Sequence, residues 1–306
     1  MMINEGLVRF DTDMNIVGHL ATDWSMAEDG LSWTFVLRDG VRFHDGSAFN
    51  AEVVERNFTR VMDPAQNHKR LPLFTALEKV EVVDELTVRF VTRKPYGAFE
   101  PTMAHVSAYI LHPDLAETHD KSYGTSPETT SGTGPYKLVS WRKDREVILE
   151  RNEDYWGPKG KLEKIIYRPL PEAASRVIAL ESGDVDVITH MPPADVARLE
   201  AAPDIVIHKA VSIGSQQFRF HCERKPFDDP RVRQAISFAV DRGTIIEHLL
   251  PGLALPSTGP LTRKIRGRAE LGEIPYDPEK ARALLAEAGY PDGFETTIHT
   301  TNRYLM

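Results

Sequence analysis

The hydrophobic period of the chain changes beyond its midpoint, and this change limits the fold more than any single motif does. Before about residue 170, apolar and polar residues alternate in short runs that end at turns, which is typical of antiparallel hairpins. Beyond it, helical patterns alternate with short apolar runs at 185–188, 205–211 and 216–222, which favours α/β units with some parallel pairing. The sequence therefore predicts a mixed α/β protein, and 306 residues suggest roughly two domains of about 150 residues each.

Three hairpin patterns precede the change. A strand is predicted around Trp33, Phe35 and Leu37, ending at the turn Asp39-Gly40 and resuming at 41–43. Two strands are predicted on either side of Asp84-Glu85, and two more within 136–152, with a turn at Lys143-Asp144. The stretch "SGTGPYKL" (131–138) is rich in glycine, but its proline stops any helix that could hold a phosphate, so a tight loop entering a strand is predicted.

Helix start signals are clearest in "KPFDDPRVRQAISFAVDR". Asp228 or Asp229 can accept a backbone N–H as the N-cap, and Pro230 suits the first helical position. The same design is repeated at Asp277-Pro278, and Asn50 is the predicted N-cap of a helix beginning "AEVVERNF". These helices present apolar faces without catalytic residues, which indicates a role in packing.

Composition excludes several classes of protein. A net charge of -8 argues against nucleic-acid binding, and no apolar run reaches the ~18 residues of a membrane helix. The opening "MMINEGLVRF" lacks the features of a signal peptide, and the single cysteine excludes an internal disulfide and a CxxC site. Cys222 is predicted to be a small buried residue of a strand.

No motif for nucleotide binding, metalloprotease chemistry or a serine nucleophile occurs in the chain. The eleven histidines are scattered, and no pair lies three or four apart on a predicted helix. His105 and His112 are the nearest candidates for a metal site, although a structural or solvated role is favoured for both. No catalytic residue, metal site or cofactor is predicted.

Seven segments resemble, in order, those of one family. They are "NEGLVRFD", "LATDWSMAEDGLSWTFVLRDGVRFHDGSAFNAEVV", "SGTGPYKLVSW", "LERNEDYWG", "SRVIALESGDVDVI", "KPFDDPRVRQAISFAVDR" and "YDPEKARALLAEAGYPDGFE". The chain is identified by them as a member of the solute-binding proteins of ABC importers in the dipeptide/oligopeptide/nickel group, solute-binding family 5. The resemblance covers nearly the whole chain, and seven segments in order are more specific than any one alone.

The resemblance implies a two-lobed periplasmic-binding-protein fold (type II-like) that closes on its ligand by a hinge. Residues 1–131 would be the β-rich subdomain of the first lobe and 132–215 its ligand-facing part. Residues 216–306 would hold the hinge crossing and the start of the second lobe, including the helix after Asp229. Family members extend beyond both ends of this sequence, so the fold is expected to be incomplete here, and the full-length protein to be periplasmic or lipid-anchored outside the cell.

The resemblance also suggests a ligand and a site. The segment "MAHVSAYILHP" (103–113) corresponds to a part of the first lobe that faces the cleft, and nickel-binding relatives present an arginine there. This chain has no arginine between Arg93 and Arg142, so short peptides or glutathione-like solutes are favoured. If the segment is a strand, alternate side chains face the ligand, which selects His105, Ser107 and Tyr109, with ordinary packing as the alternative for all three.

Four hypotheses follow. The first is a monomeric, non-enzymatic receptor that binds a small peptide or similar solute and delivers it to the permease subunits of an ABC importer. The second is a receptor for a nickel chelate or another small solute on the same fold. The third is an enzyme with a dispersed active site, which no motif in the sequence supports. The fourth is a fragment without function.

Overall fold

The computed structural model describes residues 2–66, 69–119, 121–265, 267–269 and 271–299. By its internal contacts the chain divides into two compact units, residues 1–169 and 170–306. The finer division at residues 131 and 215, which the family resemblance implies, stays a prediction.

The first unit contains the strands. Their bounds are β1 Val8–Phe10, β2 Ile16–Gly18, β3 Ala21–Met26, β4 Ser32–Leu37, β5 Leu77–Asp84, β6 Thr87–Thr92, β7 Tyr136–Arg142, β8 Glu146–Arg151 and β9 Lys164–Tyr167. They form a two-stranded sheet β1-β2, a four-stranded sheet β3-β4-β6-β5 and a three-stranded sheet β7-β8-β9. Each of these pairings is antiparallel.

Both hairpins after β4 form where the sequence predicts them. The first turns after Asp84, and the second turns at Lys143-Asp144, with Asp144 in the left-handed region at φ 58°. An aspartate adopts that conformation more readily than most residues because its short polar side chain can bond locally. The predicted resumption at 41–43 is reduced to an isolated bridge between Arg42 and Ala48.

The helices of the first unit cover the four-stranded sheet and its ends. They are α1 Ala51–Met62, α2 Phe99–Ala104 and α3 Pro113–His119, joined by 3₁₀ turns at Pro64–Gln66, Leu71–Phe74, Val106–Ala108 and Pro127–Thr129. Asn50 caps α1 as predicted, because its side chain accepts the N–H of Val53 at 3.0 Å. Phe58 of α1 packs edge to face on Phe90 of β6 at 5.0 Å between ring centroids. Burial of such aromatic side chains is the main stabilisation of this unit.

The regular secondary structure in the described residues of the second unit is helical. It contains α4 Ala173–Glu181, α5 Val196–Glu200, α6 Pro230–Ala239, α7 Arg242–Leu249 and α8 Pro278–Glu287, with a 3₁₀ turn at Pro193–Asp195. Asp229 is the N-cap of α6, and its Oδ1 accepts the N–H of Arg231 at 2.8 Å. Val232 and Ala235 are buried where α6 packs against α8. The amphipathic interpretation of this helix is confirmed.

The three strands predicted beyond residue 180 do not form within the described residues. The runs at 185–188, 205–211 and 216–222 are extended but pair with no neighbouring strand there, so the parallel pairing is wrong. Their apolar side chains face solvent, with Val187 80%, Val206 77% and Phe218 58% exposed. Cys222 is exposed as well, which corrects the prediction of a buried strand position. An apolar run favours a strand, but a β-strand forms only where its backbone is hydrogen-bonded to a neighbouring strand.

Candidate functional site

The segment from Met2 to Leu7 joins two distant parts of the first unit. The carbonyl oxygen of Ile3 accepts the N–H of Gly134 at 2.8 Å, and that of Met2 accepts the N–H of Tyr136 at 2.9 Å. On the other side, the carbonyl oxygen of Glu5 accepts the N–H of Ile110 at 2.8 Å. The N-terminal segment therefore lies between segment 103–113, which is predicted to face the ligand, and the loop 131–135, and its backbone is hydrogen-bonded to both.

The side chain of Glu5 is completely buried and has four polar partners. One carboxylate oxygen accepts the hydroxyl of Tyr155 at 2.7 Å and lies 3.1 Å from Nε2 of His19. The other accepts the hydroxyl of Thr133 at 2.8 Å and the indole N–H of Trp156 at 3.0 Å. A buried carboxylate is tolerated only when its oxygens are hydrogen-bonded in this way.

These partners also fix the ionisation of Glu5. Burial alone would raise the pKa of Glu5, but the hydrogen bonds from His19, Tyr155 and Thr133 and the charge of His19 together lower it. Burial, followed by the hydrogen bond to Glu5 and its charge, raises the pKa of Tyr155. Glu5 is thus an ionised carboxylate whose two oxygens are both hydrogen-bonded, which suits it to holding structure and not to transferring protons.

The structure places His105, Ser107 and Tyr109 close together but not on a strand. His105 ends α2 and begins the 3₁₀ turn Val106–Ala108, and its Nδ1 accepts the N–H of Ser107 at 3.1 Å. The prediction that these three residues alternate along a strand is therefore wrong. His105 is exposed, Ser107 and Tyr109 are half-buried, and Ala108 between them is buried.

Tyr109 lies over the backbone of the N-terminal segment. Its Cδ1 is 3.2 Å from the position that a Cβ atom would occupy at Gly6. Burial, with the nearby charge of Glu5, raises the pKa of Tyr109, so its hydroxyl stays protonated and can donate. That these three residues contact a ligand stays a prediction.

A cavity of about 330 Å³ opens beside this segment. Its polar wall consists of Asn4, Arg60, Arg70 and Tyr123, and Leu111, Ala116 and Gly124 complete it. Nη1 of Arg70 donates to the carbonyl oxygen of Ser107 at 3.4 Å, which connects the cavity to the predicted site. The segment itself has no arginine, but a guanidinium reaches it from elsewhere in the sequence.

Tyr123 is held at the base of this cavity. Its hydroxyl donates to the carbonyl oxygen of Ser131 at 2.7 Å and accepts the N–H of His112 at 3.3 Å. Burial raises the pKa of Tyr123 to about 12. The hydroxyl is thus engaged by the protein, and Tyr123 positions the wall of the cavity.

Asp45, Ser47 and His112 have the three residue types of a hydrolytic triad but not its geometry. Oδ2 of Asp45 and Oγ of Ser47 both approach the same nitrogen of His112, Nε2, at 3.0 and 3.1 Å. The other nitrogen, Nδ1, accepts the N–H of Leu115 at 3.4 Å. A neutral ring that accepts at Nδ1 has its proton on Nε2 and cannot take one from Ser47.

The two histidines considered as metal ligands lie in different surroundings. Among the described residues, no group of three or more His, Cys, Asp or Glu side chains could hold a metal ion. His112 is buried and contacts Asp45 and Ser47, whereas His105 is exposed and lies at the start of the 3₁₀ turn Val106–Ala108.

Sequence reasoning did not find the polar residues of the cavity or Glu5. Asn4 and Glu5 are adjacent in the family segment "NEGLVRFD", whereas Arg60, Arg70 and Tyr123 lie apart from one another and outside the seven family segments. The only local signal was the stretch "NEGL", which places a carboxylate three residues before the first residue of β1.

Comparison with known proteins establishes the family. The profile of the bacterial extracellular solute-binding proteins, family 5 Middle, matches residues 15–305. The chain belongs to this family. It is 36% identical over 301 residues to the glutathione-binding protein GsiB of Pectobacterium atrosepticum, which covers 98% of the chain and 58% of that protein.

The chain is also similar to solved structures, among them the following two. One is the periplasmic binding protein DppA from Helicobacter pylori in complex with the peptide STSA, with a TM-score of 0.81, 32% identity and 95% of this chain covered. The other is NikZ from Campylobacter jejuni in complex with Ni(L-His), with a TM-score of 0.83, 28% identity and 94% covered. The matches cover 61% and 57% of those two chains. The two-lobed periplasmic-binding-protein fold class, predicted by resemblance, is confirmed.

The chain spans 58% of the length of the curated relative it matches. None of the helices in its described residues combines the length and the apolar character that a membrane crossing needs.

Proposed function

We propose that this chain is the solute-recognition part of an ABC importer and binds short peptides or glutathione-like solutes. The observation that carries the proposal is family membership over residues 15–305, with relatives that are described as glutathione-binding or were solved with a bound peptide. The geometry agrees, because polar and cationic groups surround a cavity next to the segment 105–109. Such groups suit the charged ends of a peptide-like solute.

The protein would act without catalysis, as a monomer outside the cytoplasm, and deliver its solute to permease subunits. Closure of the fold on the ligand is part of this proposal. A decrease in the radius of gyration on addition of solute, measured by small-angle X-ray scattering, would support closure.

A nickel chelate is the second candidate, because NikZ was solved with Ni(L-His) and has a TM-score of 0.83. Two observations make it weaker than the first. The segment 103–113 lacks the arginine that nickel-binding relatives present there, and the described residues contain no cluster of three metal ligands.

Isothermal titration calorimetry of the 306-residue chain with dipeptides, tripeptides, glutathione and nickel–histidine tests the proposal. Binding of a peptide or glutathione, with no release of product on long incubation, is the expected result. Binding of nickel–histidine alone would select the second candidate. If the folded chain binds none of the four, the proposed function is wrong.

A further inference from the structure

The hydroxyl of Tyr109 is without a hydrogen-bond partner in the part of the chain that the structure describes. The other tyrosines of the first unit that are buried or half-buried are each bonded through the hydroxyl to an oxygen of the protein, at 2.7–3.1 Å; they are Tyr96, Tyr123, Tyr136 and Tyr155. Tyr109 is half-buried as well, so its hydroxyl is left for water or for a ligand.

This hydroxyl is a neutral hydrogen-bond donor. Burial, followed by the charge of Glu5, raises the pKa of Tyr109, so the phenol keeps its proton at neutral pH. An uncharged O–H on a half-buried ring suits an acceptor oxygen of a ligand, such as a carboxylate or a peptide carbonyl. Because such a bond replaces one to water, its net effect on affinity is roughly three- to tenfold.

Two adjacent residues of the N-terminal segment fix the position of Tyr109. The carbonyl oxygen of Glu5 accepts the N–H of Ile110 at 2.8 Å, which holds the backbone immediately after the tyrosine. The tyrosine ring lies over Gly6, where a Cβ atom would be 3.2 Å from Cδ1 and 3.5 Å from Cε1 of the ring. A methyl group at Gly6 would therefore press on the ring, and it would also lie 3.1 Å from the carbonyl oxygen of Val8.

The carboxylate of Glu5 anchors the same residue from its other end. It accepts the hydroxyls of Tyr155 and Thr133. It also accepts the indole N–H of Trp156 and lies 3.1 Å from Nε2 of His19. These partners come from three separate parts of the first unit, so a shift of Glu5 would break several hydrogen bonds at once. The backbone carbonyl of Glu5 is therefore held in place by the bonds made at its carboxylate.

We propose that Glu5 and Gly6 are positioning residues for solute binding, and that they hold Tyr109 so that its hydroxyl donates to an oxygen of the bound solute. Both residues are buried, so neither contacts the solute, and both act through the tyrosine. This inference rests on the proposed function, since it concerns how the solute is recognised. It differs from a role in packing alone, because packing does not depend on the hydroxyl.

The test combines Tyr109→Phe, which removes only the hydroxyl, with Gly6→Ala and Glu5→Gln, each alone and together with Tyr109→Phe. Gly97→Ala is the control for Gly6→Ala, because a Cβ atom at Gly97 meets nothing within 4 Å. Glu100→Gln is the control for Glu5→Gln, because Glu100 also accepts an indole N–H, at 2.6 Å, but is only half-buried. Gly6→Ala keeps the experiment decisive if Glu5→Gln does not fold.

Affinities for reduced glutathione and for trialanine are measured by calorimetry on the 306-residue chain, with dithiothreitol to keep the exposed thiol of Cys222 reduced. We expect Tyr109→Phe and Gly6→Ala each to weaken binding roughly three- to tenfold, and the two controls to leave it unchanged. With Tyr109→Phe already present, Gly6→Ala and Glu5→Gln should change the affinity less than about twofold, because the bond that they position is already lost. The Cζ NMR signal of Tyr109, assigned by its absence from Tyr109→Phe, should shift when the solute is added.

The outcomes separate this inference from the proposed function. If a solute binds but Tyr109→Phe binds it as tightly as the unsubstituted chain does, the inference is wrong while the proposed function stands. Equal losses from Gly6→Ala with and without the hydroxyl would give Gly6 a general structural role and would also overturn the inference. If the unsubstituted chain binds neither solute, the proposed function fails and the inference fails with it.

Discussion

Tyr155 donates a 2.7 Å hydrogen bond to the carboxylate of Glu5, which lies 150 residues earlier in the sequence. Trp156, the next residue, donates its indole N–H to the same carboxylate at 3.0 Å, and its ring lies 4.6 Å below the guanidinium carbon of Arg38. The motif "DYWG" thus ties the beginning of the chain to the end of the first unit. Tyr155 and Trp156 therefore have a structural role in the first unit.

This relationship predicts that Glu5→Gln strongly destabilises the first unit. The amide keeps the size of the carboxylate but removes its charge, and it turns an N–H₂ group toward donors that then lose their acceptor. We expect a loss of about 2–4 kcal/mol in the free energy of unfolding. All four tryptophans lie between residues 24 and 156, so urea unfolding followed by tryptophan fluorescence reports on this unit alone.

Glu100→Gln is the matched control for that experiment. Glu100 also accepts an indole N–H, that of Trp24 at 2.6 Å, but it is only half-buried and has this one side-chain partner among the described contacts. Its loss should be about 1 kcal/mol or less. Equal losses for the two variants would show that the Glu5 network does not stabilise the unit beyond a single hydrogen bond.

Two groups predict that the first unit becomes less stable in acid. Burial lowers the pKa of His44, so the folded state binds fewer protons than the unfolded state once the pH falls below about 6.5. The lowered pKa of Glu5 acts in the same direction below about 4.5. Stability measured by fluorescence should therefore be constant above pH 7, decline as the pH falls below about 6.5, and decline more steeply below about 4.5.

The variant His44→Gln isolates the upper part of this profile. Nε2 of His44 lies 2.9 Å from the carbonyl oxygen of Gly134, and a glutamine amide can donate to the same atom without titrating. The variant is expected to be less stable at pH 7 but to have a flatter profile from pH 6.5 down to about 4.5, where Glu5 begins to contribute. His119→Gln, a substitution in α3, serves as control and should keep the full slope. A profile for His44→Gln that is parallel to that of the unsubstituted chain would contradict the assignment.

Close backbone packing predicts that Gly132→Ala and Gly134→Ala impair folding. A Cβ atom at either position would overlap the backbone of Ile3, and at Gly134 it would lie 2.7 Å from the carbonyl oxygen of that residue. Because backbone cannot move aside cheaply, each variant should lose about 2 kcal/mol or more. At Gly97 a Cβ atom meets nothing within 4 Å, so Gly97→Ala should be neutral or slightly stabilising. Urea midpoints from tryptophan fluorescence check all three.

Features set by neighbouring residues were predictable from sequence. The caps at Asn50, Asp229 and Asp277 and the turn at Lys143-Asp144 are formed as predicted, because the donor and acceptor lie within three residues of each other. The glycine loop entering β7 is also as predicted, since a proline in that loop leaves few alternatives.

Features that depend on contact between distant segments were not predictable. The partners of Glu5 lie up to 151 residues away, and Arg70 reaches the carbonyl oxygen of Ser107 across 37 residues of sequence. The segment 103–113 has apolar residues that fit a strand, but its one backbone contact with the N-terminal segment, from Ile110, is too little for a ladder. The side-chain pattern of a segment indicates which of its faces is buried. Whether the segment joins a β-sheet depends on a neighbouring strand, which the pattern does not reveal.

The turn at 105–109 predicts a specific effect on solute binding. His105→Ala removes the acceptor of the Ser107 N–H, and Ser107→Ala removes the hydroxyl of a half-buried residue whose carbonyl oxygen accepts from Arg70. We expect each to weaken glutathione or peptide binding about two- to ten-fold with little effect on unfolding. His119→Ala is the matched control and should bind normally. Unchanged affinity in both test variants, measured by calorimetry, would leave packing as the role of these residues.

The cap of α6 predicts different effects for two adjacent aspartates. Oδ1 of Asp229 accepts the N–H of Arg231 at 2.8 Å, whereas the carboxylate of Asp228 accepts the N–H of Asp229 at 3.1 Å, before the helix begins. Asp229→Ala should therefore increase the hydrogen-exchange rates of the first-turn amides several-fold, because it leaves a helical donor without its acceptor. Asp228→Ala should leave those rates almost unchanged, although it removes the same charge from the same end of the helix. Equal effects of the two substitutions would mean that charge near the helix dipole, and not the cap, stabilises the start of α6.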